Sequence, residues 1–346
     1  GNWDSLTVRN CTVKNIYLTG IYAPAQTSVT GIRFAKNTVY NVTGVSMQSA
    51  GIMLSGGEGV VDSNVCTNSS MGISLDASSN GFVRFNMVDS CEVGIRVKGN
   101  NDSTFLSSNL VTNSDQGIQT VEVNAPILLA GDTIKGCGYG LALYGLGTSS
   151  TGIQYSIIDG MDLPGAVGIY ASTDVYPLGV GDVKGLLMRN QIIHNSIGIL
   201  LNEPVADTTK DVLVIIGGDS SSYNLICDND SFALYLEHCN DDINATYNYW
   251  GKSLVSQIEQ EIYHQVDDPS LGLVDFSQPY LLGDVNTDRA INAADVVYLI
   301  NYLFIGGPAP VPILQVGDVN CDAVINAADV VYLINYLFIG GPPPSC

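Results

Sequence analysis

The chain has 346 residues, with 13 Lys or Arg against 34 Asp or Glu and a net charge of −21. That balance excludes nucleic-acid binding, which is driven mainly by basic side chains neutralising phosphates, and it argues against attraction to anionic membranes. No apolar run is long enough to predict a membrane span.

Residues 1–282 are rich in Gly, Asn, Ser, Thr, Val and Ile and poor in Lys. A glycine followed by an apolar residue recurs at Gly20, Gly51, Gly72, Gly94, Gly117, Gly140, Gly168 and Gly198, with Ala233–Leu234 as a ninth copy. Each opens a short alternating segment such as GIMLS, GISLD or GIRVK. Between these anchors an Asn or Asp is followed closely by Val or Ile, at Asn37, Asn64, Asn86, Asn109, Asp132, Asn190 and Asn224. Repeats of about 20 to 30 residues built from short strands and polar turns predict a solenoid, and the lack of helical periodicity points to a right-handed parallel β-helix. Nine coils stacked at about 4.8 Å would make a rod roughly 40 Å long. Longer spacings late in the repeat predict loops protruding near Thr148, Tyr176, Pro204 and Ser221, where a solenoid would carry function.

Cys91 and Cys137 occupy like positions two coils apart, about 9.6 Å, beyond disulfide reach, so both are expected buried and free. Cys227 with Cys239, and Cys321 with Cys346, are the plausible pairs. The titratable groups that could do chemistry are few. His194 falls where other coils have turn residues, and His264 falls in a predicted capping helix. Glu237, His238, Asp241 and Asp242 form the one convergent cluster, a candidate catalytic or metal site. An acidic rod would repel a polyuronate, and no run of clustered basic residues is present to neutralise one.

An open end of such a rod is an unpaired β edge and needs a cover. Asn248-Tyr249-Trp250-Gly251 closes the last coil, and Ser253 to His264 predicts a short amphipathic helix with Leu254, Ile258 and Ile262 inward. This ending resembles secreted right-handed β-helix proteins of the pectate-lyase-like superfamily, which implies a polysaccharide lyase or glycoside hydrolase as the alternative activity. At the other end a strand-like stretch, Leu6 to Val13, begins almost at once, and a capping helix is not expected before it.

The C-terminal part carries a word-for-word duplication. Ile291 to Pro308 reads INAADVVYLINYLFIGGP, as does Ile325 to Pro342, and each copy follows a GDVNxD stretch. With Asp284 as position 1 of a loop, Asn286, Asp288, Asn292 and Asp295 fall at positions 3, 5, 9 and 12, and Ala290 offers a carbonyl at position 7. The second copy gives Asp318, Asn320, Asp322, Val324, Asn326 and Asp329. These are the oxygen-bearing positions of EF-hand-type loops for two calcium ions. The pair, with Asp rather than Glu at position 12 and one helix after each loop, resembles a type I dockerin. That resemblance implies a calcium-dependent plug for a cohesin-like partner, with the contact pairs of the family falling on Ala293, Ala294 and Ala327, Ala328. Position 6, normally Gly, is Arg289 in one loop and Ala323 in the other, which puts a side chain into a left-handed backbone at a cost on the order of 1 kcal/mol.

In each helix Val296, Leu299, Ile300 and Leu303, or their copies, make one buried stripe. Val297, Tyr298, Tyr302 and Phe304 are left over, as are Val331, Tyr332, Tyr336 and Phe338, more apolar surface than two helices can cover. The sequence therefore predicts a mainly β chain: a β-helix over 1–252, a capping helix and linker over 253–282, and a small all-α dockerin-like domain over 283–346. The linker, Phe276 to Leu282, is short and contains Pro279, so the plug is expected to lie fixed against the rod. The functional expectation is an extracellular, secreted or cell-surface assembly protein. Its apolar helices would meet another copy of the chain, head to tail in a filament, or a cohesin-like domain. A polysaccharide is a further possible partner.

Overall fold

The computed structural model describes residues 5–24, 31–44, 49–77, 79–100, 102–145, 148–175, 179–203 and 210–346, with the backbone alone at 79–80, 175 and 179–180. The predicted loop tips at Tyr176 and Pro204 lie outside the described residues. The described strands stack into three parallel sheets. The first has nine strands, from Leu6–Arg9 to Val212–Ile216, the second nine, from Thr12–Tyr17 to Leu225–Cys227, and the third ten, from Thr19–Ala23 to Ile262–Tyr263. Each coil contributes one strand to each sheet, so residues of like position meet in register from coil to coil. Ile52, Ile73, Ile95 and Ile118 form one such inward column on the third sheet.

The two repeat signals of the sequence have separate physical causes. The Asn/Asp signal is a buried hydrogen-bonded ladder. Each Asn Oδ1 accepts the backbone amide of the coil before it, and each Nδ2 donates to a first-sheet carbonyl. Asn64 thus accepts from the Asn37 amide at 3.0 Å and donates to the Phe34 carbonyl at 2.8 Å. The ladder runs from the Cys11 amide through Asn37, Asn64, Asn86 and Asn109, then Asp132, Ser156, Asn190 and Asn224, to Asn248. Ser156 and Asn248 are rungs that the spacing of the Asn signal did not reveal. Just before most rungs stands one left-handed residue, such as Lys36, Phe85, Tyr155 or Arg189. Each costs on the order of 1 kcal/mol, and the rung's bonds to otherwise unmet buried amides offset it.

The glycine signal is a packing requirement at the corner between the second and third sheets. A Cβ on Gly94 would stand 2.4 Å from Val111 Cγ1 and 2.5 Å from the Gly117 carbonyl oxygen. The β-branched side chains of the second sheet fill that corner, and only a bare Cα fits beside them.

The far end is closed as expected, by a shorter helix than expected. Helix α1 spans Val255–Gln260, with Ile258 buried, rather than Ser253 to His264. Ile262–Tyr263 instead pairs in parallel with Leu234–Tyr235 as the tenth strand of the third sheet. Ladder hydrogen bonds to an exposed β edge outweigh one more turn of helix. His264, 1% exposed, accepts the Val274 amide on Nδ1 at 3.0 Å and contacts Glu259 through Nε2 at 3.0 Å, which makes it a structural clasp of the cap.

The C-terminal module has two helices, α2 (Ala293–Ile300) and α3 (Ala327–Ile334). Each runs on into a wider turn, Asn301–Ile305 and Asn335–Ile339, closed by left-handed Gly306 and Gly340. The module shares a second apolar core with the end of the rod, in which Tyr223, Leu225 and Tyr249 meet Leu282, Val316 and Val319. Tyr223 donates to the Pro312 carbonyl at 3.2 Å, and Tyr280 donates to the Ser220 carbonyl at 3.1 Å. The insertion around Ser221 therefore helps to hold the linker. The C-terminus is strapped to the cap: the Cys346 amide donates to the Gly251 carbonyl, Lys252 Nζ donates to the Cys346 carbonyl, and Cys346 is bonded to Cys321. Cys91 and Cys137 are buried and free, as expected. Cys227 and Cys239, expected to pair, are both free, because Cys227 belongs to the rod–module core whereas Cys239 lies in the rod core against Glu203.

Candidate functional site

The two loops that precede α2 and α3 fold alike. Asp284 accepts the Asp288 amide at 3.1 Å and the Arg289 amide at 2.9 Å, and Asp318 accepts the Asp322 and Ala323 amides at the same distances. Asp288 and Asp322 accept the amides two residues on, from Ala290 and Val324. Asp295 returns from the first turn of α2 to accept the Val285 and Asn292 amides, closing the loop. Asn292 and Asn326 cap the two helices, accepting the Ala294 and Ala328 amides. Positions 4 and 6 are left-handed in both loops: Thr287 and Arg289 at φ 58° and 70°, Cys321 and Ala323 at 57° and 66°. The strain expected at position 6 is present, and position 4 shares it.

The donor set suits a hard cation. Burial, followed by neighbouring carboxylates, pushes Asp284, Asp295 and Asp318 above the usual carboxylate range. Asp288 acts on Asp284, Asp284 on Asp295, and Asp329 and Asp322 on Asp318, so the carboxylates of each loop crowd one another. Among the described residues, no three His, Cys, Asp or Glu side chains close on a common point by themselves. In the same loops the Asn286, Asn292, Asn320 and Asn326 Oδ1 atoms accept the amides of Asp288, Ala294, Asp322 and Ala328.

Outside the loops, the expected surplus of apolar surface divides in two. Val297 and Val331 are each 55% exposed, and Phe304 and Phe338 each 65%. Ala293, Ala294, Ala327 and Ala328 are exposed beside them. The sequence reading missed Ile305 and Ile339, which are more exposed still; they follow the helical stripe and lie beyond its period. The tyrosines are only half-buried and are partly engaged within the chain. Tyr298 donates to the Ala309 carbonyl at 3.0 Å, and Tyr302 lines a cleft of about 650 Å³ between module and rod with His194, Asp228 and Gln315. Tyr336, its copy, lines an open groove of about 320 Å³ with Tyr332 and Ile339.

The cluster proposed on the rod does not converge. His238 is an exposed left-handed turn residue. Asp242 accepts the Leu273 amide at 2.8 Å, and Glu237 ends a third-sheet strand. Asp241 turns instead toward Glu203, a residue 4% exposed that sequence spacing could not have brought to it. Glu203 accepts the Val212 and Asn240 amides and the Cys239 thiol. Burial, then Glu203, pushes Asp241 up to about 6. Both carboxyls serve main-chain and neighbour contacts between coils. His194 sits in a turn, as expected, with Nδ1 3.1 Å from Asp159.

Fold and loops together define a parallel β-helix rod bearing a paired loop–helix module. The family model for right-handed β-helix regions matches residues 1–157, and that for the type I dockerin domain matches residues 282–338. The chain is a right-handed parallel β-helix protein with a C-terminal type I dockerin module. Dockerin modules bind calcium, pair with cohesin domains and are typically found outside the cell or at its surface. Neither a curated protein nor a solved structure matches the chain. No described helix is long and apolar enough to cross a membrane.

Proposed function

We propose that this chain is an extracellular β-helix component anchored to a cohesin-type partner through its module, with one calcium ion in each loop. Asp284, Asn286, Asp288, Asn292 and Asp295, with the Ala290 carbonyl, would hold the first ion. Asp318, Asn320, Asp322, Asn326 and Asp329, with the Val324 carbonyl, would hold the second. The ions would relieve the crowding of carboxylates and fix the start of each helix. The observation that carries this reading is the equivalence of the two copies: the same two side-chain positions, Val297 and Phe304 in one copy and Val331 and Phe338 in the other, are exposed to the same extent. Either helix could then meet the same partner surface.

The test is calorimetric titration of the full chain with a cohesin-type domain in millimolar calcium, alongside light scattering of the chain alone. A one-to-one complex that dissociates in EGTA supports the reading. Calcium-dependent growth into long assemblies without cohesin binding would replace it with the head-to-tail filament.

A further inference from the structure

The outward face of the third sheet changes character over its last coils. Its strands there are Gln116–Val121, Tyr139–Tyr144, Val167–Ser172, Ile197–Asn202, Phe232–Glu237 and the cap strand Ile262–Tyr263. Two groups of rings stand on this face. In the first, Tyr170 packs between Tyr139 and Tyr144, with ring centres 5.1 and 5.9 Å away. In the second, Tyr235 stacks on Tyr263 at 4.6 Å, and Phe232 lies against both. Register places Tyr170, Leu200 and Tyr235 in one column on consecutive coils, so the two groups are two coil rises apart, about 9.6 Å.

Polar groups are interleaved with the rings. Asn202, on the coil between them, donates to the Tyr170 hydroxyl at 3.2 Å, and Gln119 Nε2 donates to Gln116 Oε1 at 2.8 Å. Burial, then neighbouring tyrosines, then Glu237 raise the hydroxyl pKa of both Tyr139 and Tyr235, which puts Glu237 within electrostatic reach of both groups. The six strands carry no Lys, Arg or His. Arg96, one coil below, is buried against Asp76.

This chemistry selects its ligand. On the described residues of these six strands a polyanion meets no Lys, Arg or His and faces a carboxylate. A pyranose ring offers an apolar C–H face to an aromatic ring and equatorial hydroxyls to amides and carboxylates. Platforms aligned on a flat sheet at a fixed spacing suit an extended chain that runs along the rod. We propose that the Tyr170 and Tyr235 groups form a binding face for a neutral, extended β-1,4-linked polysaccharide, with Asn202 and Glu237 hydrogen-bonding its hydroxyls. The face is on the rod, and this proposal stands apart from the reading of the module.

Native affinity electrophoresis of the full chain tests it, with hydroxyethylcellulose and glucomannan as neutral probes and polygalacturonate as the acidic one. Retardation by at least one neutral probe and none by polygalacturonate is expected. Tyr170→Ala and Tyr235→Ala should each weaken retardation about tenfold, the scale of one good ring contact. Tyr235→Phe keeps the platform and should retain most of it, and Phe105→Ala, on the first sheet, should change nothing. A wild-type chain that runs unretarded with both neutral probes overturns the proposal. So does equal retardation by polygalacturonate, or undiminished retardation of both alanine variants whose melting matches wild type.

Discussion

Asp132 is the acidic rung of the buried ladder, and Asp132→Asn is predicted to stabilise the rod at neutral pH. Its Oδ1 accepts the Asn109 amide and the Asn109 Nδ2, both at 2.8 Å, whereas its buried Oδ2 has no partner. Burial pushes its pKa up to about 6, against the hydrogen bonds from Asn109 that pull it down. In an unfolded chain the value is about 3.9. Between pH about 4 and about 6 the folded chain therefore holds a proton that the unfolded chain has lost. Wild-type stability falls as pH rises through that window and is level above it. Two pKa units correspond to about 3 kcal/mol. An Asn at this rung has no charge to bury, and by register its new amide lies toward the Leu106 carbonyl, as Asn109 does toward Val83. That adds about 1 kcal/mol net. The variant should exceed wild type by about 3 to 4 kcal/mol at pH 7 and by about 1 kcal/mol near pH 4. Urea unfolding followed by far-UV circular dichroism at the two pH values measures both gaps. Equal gaps at pH 4 and pH 7, or no gain at pH 7, would refute the buried-charge account.

Other predictions follow from the same geometry. Gly94→Ala forces a methyl group into Val111 and the Gly117 carbonyl, and should cost about 3 kcal/mol or more in the urea midpoint of the rod, whereas a loss under 1 kcal/mol would show that the corner has room. Cys346→Ser opens a bond that spans 25 residues; a loss of about 3 kcal/mol is expected in the module, seen as faster proteolysis of residues 283–346 with the rod's melting unchanged. Asp284→Ala together with Asp318→Ala should abolish calcium binding by calorimetry and remove the EGTA-sensitive step in thermal melting; calcium heats unchanged from wild type would place the ions elsewhere. Because Val297 and Val331 are equally exposed on the two copies, Val297→Lys or Val331→Lys alone should weaken cohesin-type binding only about twofold, and the pair should abolish it.

Much of the rod was legible in the sequence because a solenoid repeats its local solutions. The Gly column and the Asn column are spaced by the coil, so each could be counted before its cause was known. The shape of the loops was legible for a similar reason: each closes within a stretch of 12 residues, and spacing alone sets the place of every proposed donor. The cap helix was overestimated because Ile262 is equally apolar on a helix or in a strand, and only the free edge of Leu234–Tyr235 decided between them.

Contacts between distant segments carry no local period, and these the tertiary structure alone decided. Glu203 reaches Asp241, the Cys346 strap reaches Gly251, and Tyr302 faces the rod while its copy Tyr336 faces solvent, although the two lie in the same eighteen-residue sequence. The rings of the third sheet behave likewise. Tyr170 and Tyr235 are far apart in the chain, and the stacking of coils makes them neighbours on one face. The sequence by itself determined the repeating unit and the loops, whose interactions are closed within a coil or a turn; the coil stack and the docking of the module determined which identical or scattered side chains share a surface.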